Sequence, residues 1–351
     1  MENVVNNFWE NKKVLVTGHT GFKGSWLSLW LQQLNAKVIG LALDPNTSPN
    51  LFTAANVAEN MIDVRGDIRD AQTLFSVIQK HEPEIIIHMA AQPLVRYSYS
   101  NPVETYMTNV MGTVHLLEAV RQHACVRAVV NVTTDKCYEN KEWHWGYRED
   151  EPMGGHDPYS NSKGCAELVT TAYRKSYFKK LGLASARAGN VIGGGDWSED
   201  RLLPDIINSC ISKKTLQIRY PNATRPWQHV LEPLSGYLHL AQLLYSSPEK
   251  YSEAWNFGPD DSDAKPVEWI VKETFKCWGG NPTMEIIPSP DLHEATFLKL
   301  DCSKAQARLG WKPRWNIQQA LASTVEWYKA FHAEKNMKEE TLKQIKNFIE
   351  G

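Results

Sequence analysis

The stretch KVLVTGHTGFKG, residues 13–24, constrains the fold more than any other part of the sequence. A short apolar run leads into Gly18, Gly21 and Gly24, and an apolar pattern of helical period follows. Glycines let a backbone approach a pyrophosphate closely, and the next helix supplies N–H groups and a positive dipole. The stretch predicts a dinucleotide-binding strand–turn–helix unit, although a tight turn with packing glycines would show the same pattern.

Apolar runs and helical patterns alternate along the first 190 residues. Continuous apolar runs, typical of strands covered on both faces, occupy 37–43, 84–91 and 126–133, and helical patterns occupy 71–80, 101–123 and 158–180. This alternation predicts an α/β fold, a Rossmann-type doubly wound parallel sheet in residues 1–190.

Beyond residue 190 the pattern changes to loops rich in Gly, Pro and Trp between short elements. We expect a smaller C-terminal substrate-binding lobe formed by residues 191–225 and 261–351. The segment of about 226–260 is expected to return to the first domain. The charged residues 333–351 predict a surface tail, and their pattern is compatible with a helix.

The composition is that of an ordinary globular protein. The 351 residues carry a net charge of −2 without a basic block, which argues against nucleic acid or an anionic membrane as a partner. No apolar run approaches the roughly 20 residues of a membrane span, and no leader pattern is present, so a cytoplasmic location is expected. The six cysteines are scattered without C-x-x-C spacing, which predicts neither disulfides nor a metal site.

Asp44 bears on the choice of cofactor because it ends the second apolar run, 20 residues after Gly24. A carboxylate there suits the ribose hydroxyls of NAD and would repel the 2′-phosphate of NADP. Asp67 and Ile68 follow a third predicted strand and are placed to bracket an adenine ring. His19 and Lys23 lie within the glycine turn, where each either contacts a phosphate or faces solvent.

A dehydrogenation set follows the strand that ends near residue 133. Tyr159 and Lys163, four residues apart, project from one helix face. An ammonium beside a phenol favours the phenolate, so the pair predicts a general base with a lowered pKa. Thr134 can hydrogen-bond the substrate hydroxyl that Tyr159 deprotonates while NAD takes the hydride.

Asp135 and Lys136 are not needed for simple dehydrogenation. They are either a further acid and base or a solvated ion pair in a loop, and the position of Thr134 at the strand end favours the first interpretation.

Several segments together resemble the extended short-chain dehydrogenase/reductase family over about residues 10–335. They are TGHTGFKG, Thr134 with Tyr159-x-x-x-Lys163, Asn109 in TNVMGT, RPWQHV at 225–230 and FLKLDCSKAQARLGW at 297–311. Within that family, the acidic residue after Thr134 and the ionisable residue beside it resemble the nucleotide-sugar 4,6-dehydratases, most of all those acting on CDP-glucose. The related dTDP-glucose and GDP-mannose enzymes carry Glu where this chain has Lys136.

The resemblance implies a hydro-lyase reaction on one bound NAD. Tyr159 removes the C4 hydroxyl proton as NAD takes the C4 hydride, water is eliminated across C5 and C6, and the hydride returns to C6. CDP-glucose would give CDP-4-dehydro-6-deoxyglucose, an early step toward the deoxysugars of surface polysaccharide such as O-antigen. Asp135 is the candidate acid, and Lys136 is either the C5 base or an electrostatic stabiliser of the enolate.

The resemblance also implies further contact residues. The cofactor set comprises Gly18, His19, Gly21, Phe22, Lys23, Gly24, Asp44, Asp67, Ile68, Ala90, Ala91, Asn109, Tyr159 and Lys163. The substrate set comprises Asn190, Arg201, Arg225, His229 and Glu294, with the arginines suited to a pyrophosphate.

Other functions stay open. A dTDP- or GDP-sugar dehydratase would share these motifs, a 4-epimerase would need no acid–base pair at 135–136, and a non-catalytic NAD sensor would need no Tyr–Lys set. Family members commonly dimerise through helices corresponding to 101–123 and 158–180, which implies a homodimer or a dimer of dimers.

Overall fold

The computed structural model describes residues 7–287 and 297–351. Its strands are β1 (Lys13–Thr17), β2 (Lys37–Ala42), β3 (Ile62–Arg65), β4 (Ile85–His88), β5 (Ala128–Val132), β6 (Gly182–Arg187), β7 (Val191–Ile192), β8 (Leu216–Ile218), β9 (Thr224–Pro226), β10 (Gln228–His229), β11 (Ala254–Asn256), β12 (Ala264–Pro266) and β13 (Met284–Ile286).

Helices separate most of these strands. They are α1 (Phe22–Gln33), α2 (Leu51–Ala54), α3 (Ala71–His81), α4 (Val95–Ser100), α5 (Pro102–Tyr106), α6 (Gly112–Arg121), α7 (Pro158–Ser176), α8 (Leu202–Ser212), α9 (Leu231–Ser246), α10 (Pro248–Tyr251), α11 (Val267–Trp278), α12 (Ser303–Leu309), α13 (Ile317–His332) and α14 (Met337–Glu350).

A seven-stranded sheet in the order β11-β6-β5-β4-β1-β2-β3 lies at the centre, and every neighbouring pair is parallel. This confirms the predicted doubly wound sheet. The strand order reverses direction between β1 and β4. Ligands bind beyond the carboxyl ends of the strands at such a switch point, which is where the glycine turn after β1 lies.

The helix predicted over 101–123 consists of α5 and α6 joined by a π-helical turn at Met107–Met111. A π turn widens the backbone spiral and rotates the side chains it carries. The turn contains Asn109, whose buried amide accepts from Gln92 N at 2.9 Å and donates to Ser162 Oγ at 2.9 Å. Asn109 thereby ties the loop after β4 to α7.

A smaller lobe stands beside the sheet and has its own apolar core. Three two-stranded sheets, β7–β10, β9–β12 and β8–β13, belong to this part of the chain. Buried Ile206, Ile218, Ile270 and Leu321 belong to its core. Between these elements the chain returns to the large sheet, where α9 packs against β4, β5 and β6 and β11 adds the edge strand beside β6.

The end of the chain is not the surface tail that its charge predicts. Residues 337–350 form α14, which packs against α1 and α13. Met337, Ile345 and Phe348 are buried, and Trp30 meets Phe348 edge-on with ring centroids 5.8 Å apart. The prediction fails because the few apolar residues of 333–351 share one face at helical spacing.

No helix among the described residues is long and apolar enough to cross a membrane.

Candidate functional site

The turn between β1 and α1 requires glycine at two positions. Gly18 has φ +75°, and a Cβ there would lie 2.8 Å from the backbone nitrogen of Ala90. A Cβ on Gly24 would lie 2.1 Å from the carbonyl oxygen of Gly18. Gly21 is the N-cap of α1 and no side chain caps this helix, so its first turn is open to an anion. These features fit the pyrophosphate of a dinucleotide.

The carboxylates at the ends of β2 and β3 suit the adenosine end of such a ligand. The Asp44 side chain is 87% exposed, and Arg65 Nε lies 3.5 Å from it. Arg65 also pairs with Asp63 at 2.9 Å, so acidic partners already offset its charge. Asp67 pairs with Arg69, whereas Ile68 is buried against Gly112 of α6.

The structure corrects the expectation for the His19 side chain, which neither faces solvent nor reaches the cleft. The ring is fully buried, its Nε2 lies 2.8 Å from Asp63 Oδ1, and it fills the space above Gly40. A Cβ on Gly40 would lie 2.4 Å from the ring, so the two residues depend on each other. Burial lowers the pKa of His19. The predicted phosphate contact through this side chain is therefore wrong.

A large cleft brings the chemistry-bearing residues together. Its lining includes Lys23, Thr134, Asp135, Lys136, Tyr159, Asn190, Arg201 and Arg225. Lys23 therefore borders the cleft, and burial together with the charges of Arg201 and Lys163 lowers its pKa to about 8.

Thr134 is hydrogen-bonded to the candidate acid, and both line the cleft that contains the candidate base. It is the N-cap of the short 3₁₀ turn Asp135–Cys137 that follows β5. Its hydroxyl donates to Asp135 Oδ1 at 2.9 Å and accepts from the backbone nitrogen of Lys136 at 3.3 Å, and Tyr159 lines the same cleft. Thr134, Asp135 and Tyr159 are all buried. The end of β5 and the start of α7 thus bring the candidate acid and the candidate base to one cleft.

The prediction of a lowered pKa for Tyr159 is wrong for this structure. Burial raises the pKa of Tyr159 to about 12, although the nearby Thr134 hydroxyl lowers it. Lys163 Nζ donates to the carbonyl of Val132 at 3.2 Å, and burial lowers the pKa of Lys163 to about 8. Desolvation disfavours the charged form of each group, and in both cases it is the largest effect.

The Asp135 carboxyl lies in a notch formed by Gly189. A Cβ on Gly189 would lie 1.8 Å from Asp135 Oδ2 and 2.2 Å from Cγ. Oδ2 is buried and has no hydrogen-bond partner among the described residues. Residue 189 must therefore lack a side chain if the carboxyl is to keep this position. No sequence signal marked Gly189, because the contact joins two different strand ends.

A buried ion pair between Glu167 and Arg187 joins α7 to the end of β6. Glu167 accepts from Arg187 at 2.9 Å, from Ser185 Oγ at 2.6 Å and from Thr133 Oγ1 at 2.5 Å. Arg187 also donates to Tyr138 Oη at 2.7 Å. The network joins β6 and α7 to the end of β5 through Thr133, the residue before Thr134. Glu167, one turn after Lys163, could have been noticed from its spacing of four residues.

Two of the predicted substrate residues are positively charged side chains that line the cleft. Arg201 lines it at the N-terminus of α8 and pairs with Asp196 at 2.7 Å, and Arg225 lines it from β9. Asn190, with φ +43°, lines the cleft after β6. Glu294 lies outside the described residues.

His229 is the fifth predicted substrate residue, and the structure places it in the core. Its ring is fully buried between Trp26 and Trp315, with centroids 5.8 and 4.9 Å away. Burial lowers its pKa to about 3. The prediction of a substrate contact is wrong. The preceding residues Arg225 and Trp227 line the cleft, whereas His229 lies outside that lining, two residues before α9 begins.

Further charged residues at the cleft were missed by the sequence-based prediction. Asp200 lies 3.2 Å from Arg96 of α4 and 3.4 Å from Arg219 after β8. All three line the cleft and link the large sheet's side to the smaller lobe. Isolated arginines carry no local signal, so only the fold could identify them.

Comparisons with known proteins show which proteins the chain is similar to. The family model described as GDP-mannose 4,6 dehydratase matches residues 15–324. The chain is 55% identical over 350 residues to CDP-glucose 4,6-dehydratase of Salmonella typhimurium, covering 98% of each chain. It is similar to a dTDP-glucose 4,6-dehydratase of Streptomyces venezuelae solved with NAD bound (TM-score 0.78, 25% identity, 92% and 98% coverage). A UDP-glucose 4-epimerase of Stenotrophomonas maltophila shares the fold (TM-score 0.81, 22% identity, 92% and 100% coverage).

Replacement of Gly189 by alanine tests the notch. The added Cβ should displace the Asp135 carboxyl, and we expect loss of turnover by about 100-fold or more if Asp135 supplies acid catalysis. Steady-state kinetics of Gly189→Ala, Asp135→Ala and the double variant form a cycle. Because Asp135→Ala removes the clashing atoms, the alanine at 189 should cost nothing further there. Additive losses would show that Gly189 serves another purpose.

Replacement of His229 by phenylalanine tests the core placement. The unfolded chain binds a proton at this histidine below its ordinary pKa of 6.5, whereas the folded chain does not until about 3. The contribution of the neutral His229 to the free energy of unfolding is thus fully present above pH 6.5, and it is lost as the pH falls from 6.5 toward 3. Between about pH 7 and 5.5, protonation of His229 in the unfolded chain should lower the free energy of unfolding of the wild type by about 1.3 kcal/mol. We expect His229→Phe to lack this part of the decrease when both proteins are measured by urea unfolding. Equal acid sensitivity, or weakened substrate binding, would contradict the core placement.

Proposed function

The chain belongs to the GDP-mannose 4,6-dehydratase family, and from this premise we propose that it converts CDP-D-glucose to CDP-4-dehydro-6-deoxy-D-glucose and water. The observation that carries the proposal is the Asp135 carboxyl, hydrogen-bonded to Thr134 in the cleft that also contains Tyr159. Oxidation alone needs Thr134, Tyr159 and Lys163. An acid group at the same strand end supplies what elimination of a hydroxyl needs.

NAD is the cofactor that this chemistry needs. When bound, NAD accepts the C4 hydride and returns it to C6. The glycine turn and the N-terminus of α1 would hold its pyrophosphate, and Asp44 would bind the ribose hydroxyls. Asn109 contributes indirectly, since its amide positions the loop after β4 against α7.

The residues of the cleft divide the proton transfers among them. Tyr159 removes the C4 hydroxyl proton, with Thr134 orienting that hydroxyl. Asp135 protonates the departing C6 oxygen. Lys136, the next residue along the 3₁₀ turn, lines the same cleft and is the candidate to accept the C5 proton or to stabilise the enolate.

The substrate's charged end fits the other side of the cleft. Arg201 and Arg225 border it from α8 and β9 and would bind the pyrophosphate of the CDP group. Asn190 lines the same cleft and is a further candidate for this contact. The preference for CDP rests on the 55% identity to the Salmonella enzyme. We place the reaction in the cytoplasm, at an early step toward surface-polysaccharide deoxysugars.

A 4-epimerase is the second candidate, because epimerases share this fold. An epimerase reaction retains the C6 hydroxyl, so it does not require the acid and base that Asp135 and Lys136 would supply. Incubation with CDP-, dTDP-, UDP- and GDP-sugars distinguishes the two, since only a dehydratase yields a 4-keto-6-deoxy product with alkali-sensitive absorbance. An epimer as the sole product would overturn the proposal.

The Lys136→Met variant tests the role of the lysine. We expect C4 oxidation to persist, while exchange of the C5 proton with deuterated solvent slows by roughly 100-fold or more. Mass spectrometry of the sugar measures the exchange. Lys180→Met, which alters an exposed lysine away from the cleft, should behave like wild type. Normal exchange in Lys136→Met would refute the base assignment.

We also propose that the chain forms a dimer through α5, α6 and α7. Large apolar side chains are exposed on these helices, with Val103 75% and Leu168 60% exposed, and Met107 and Met111 lie near Val103 in the chain. Facing helices of two copies would bury them in a four-helix bundle.

A charge on this face should separate the copies. Val103→Glu with Leu168→Glu is expected to give a monomer in sedimentation velocity, because each carboxylate would be buried without a partner. Ile286→Glu changes an exposed apolar residue of the smaller lobe (58% exposed) and should leave the mass unchanged. A wild-type monomer would exclude the proposed dimer.

A further inference from the structure

The proposed function, on which this inference rests, requires a site that recognises cytosine. CDP-glucose and UDP-glucose differ only along one edge of the pyrimidine ring. Cytosine presents an amino donor at C4 and acceptors at N3 and O2, whereas uracil and thymine present an acceptor at O4, a donor at N3 and an acceptor at O2. A site that selects CDP therefore needs an acceptor opposite C4 and a donor opposite N3.

The position of the nucleoside follows from the order of the groups in the substrate. The reacting carbons of the sugar must lie at Thr134 and Tyr159, and the diphosphate joins the sugar to the nucleoside. The charge of Arg201 acts on the pKa values of both Tyr159 and Lys23, so a diphosphate bound at Arg201 adjoins the chemical end of the cleft. The nucleoside then extends beyond it, toward the smaller lobe, whose residues continue the lining.

Apolar side chains line the cleft on the side of the smaller lobe. They are Leu216 and Ile218 of β8, Ala223 after this strand and Val267 of α11. Apolar walls suit the two faces of a base, since the hydrogen-bonding groups of a base lie along its edges. Arg219 follows β8 directly and lines the same cleft, which places a donor beside these walls.

A carboxylate accompanies Arg219 at the cleft. Arg219 Nη2 lies 3.4 Å from Asp200 Oδ1, and Arg96 Nη1 lies 3.2 Å from the same oxygen. Two arginines thus hold one carboxylate in place. Because a guanidinium has five N–H donors, the contact with Asp200 leaves Arg219 donors for a ligand.

The exposure of Asp200 argues against a phosphate at Arg219. The Asp200 side chain is 44% exposed, and its charge would repel a diphosphate bound beside it. Arg201 also pairs with a carboxylate, but the side chain of Asp196 is only 6% exposed and is largely shielded from a ligand. The pair of Arg219 and Asp200 fits a neutral group that presents acceptors and a donor side by side.

We propose that Arg219 and Asp200 read the hydrogen-bonding edge of cytosine and determine the preference for CDP. The guanidinium of Arg219 donates to N3 and O2, and the carboxylate of Asp200 accepts from the amino group at C4. Uracil and thymine are rejected, because their N3–H donor meets the guanidinium and their O4 acceptor meets the carboxylate.

Binding of free CDP and UDP tests the base contact separately from the sugar chemistry. Isothermal titration calorimetry of the NAD-loaded protein measures the dissociation constant of each nucleotide, and the ratio of the two constants is the readout. Arg219→Gln supplies an amide whose oxygen and N–H match N3–H and O2 of uracil, and Asp200→Asn supplies a donor for O4. Arg225→Gln is the matched control, because the diphosphate that Arg225 would bind is the same in both nucleotides.

We expect the wild type to bind CDP roughly 10-fold or more tightly than UDP. Arg219→Gln should abolish or reverse this preference, and Asp200→Asn should reduce it. Arg225→Gln should weaken the binding of both nucleotides and keep their ratio. Equal affinity of the wild type for CDP and UDP would overturn the proposal. An unchanged ratio in Arg219→Gln or Asp200→Asn would also overturn it, and equal weakening of both nucleotides in Arg219→Gln would assign that residue to the phosphates.

The same titration keeps the base contact distinct from the proposed function. A wild type that binds CDP selectively but yields no 4-keto-6-deoxy product from CDP-glucose would refute the proposed function and leave the base contact standing. A wild type that forms this product but shows no preference for CDP over UDP would refute only the base contact.

Discussion

The buried ion pair between Glu167 and Arg187 determines how the rest of the site is arranged. It joins α7 to β6, and the bond from Thr133 adds β5 to the same network. Removing one member of such a pair typically costs about 3–5 kcal/mol, because the other charge is left buried without a partner. Thr134 follows Thr133 of the network, and Tyr159 lies on α7, the helix that carries Glu167. Their relative position therefore depends on a pair that does not line the cleft.

Burial, more than charge pairing, sets the protonation behaviour of the cleft. It raises the pKa of Tyr159 and lowers those of Lys163 and Lys23, in each case as the largest effect. The hydrogen bond from Thr134 to Asp135 lies in the same cleft as Tyr159, so the groups suited to oxidation and to elimination are neighbours there.

The same local context explains why some residues could be assigned from sequence and others could not. The glycine turn, the Tyr159–Lys163 spacing and the residues after β5 all lie at strand-to-helix junctions, where neighbours in sequence are neighbours in space. His19 and His229 also lie in recognisable motifs, yet both are buried. Their environment comes from partners far along the chain, Asp63 for His19 and the rings of Trp26 and Trp315 for His229.

The amino-acid sequence by itself determined the alternation of strands and helices, the parallel sheet and the strand end at which chemistry occurs, because these depend on short-range periodicity and turn residues. Only the tertiary structure decided which side chains of each motif reach the cleft, that Gly189 makes room for Asp135, and that α14 packs on α1. Those outcomes depend on contacts between residues distant in the chain, and no spacing within one segment encodes them. The protonation of Tyr159 belongs to the same class, since burial is a property of the assembled fold.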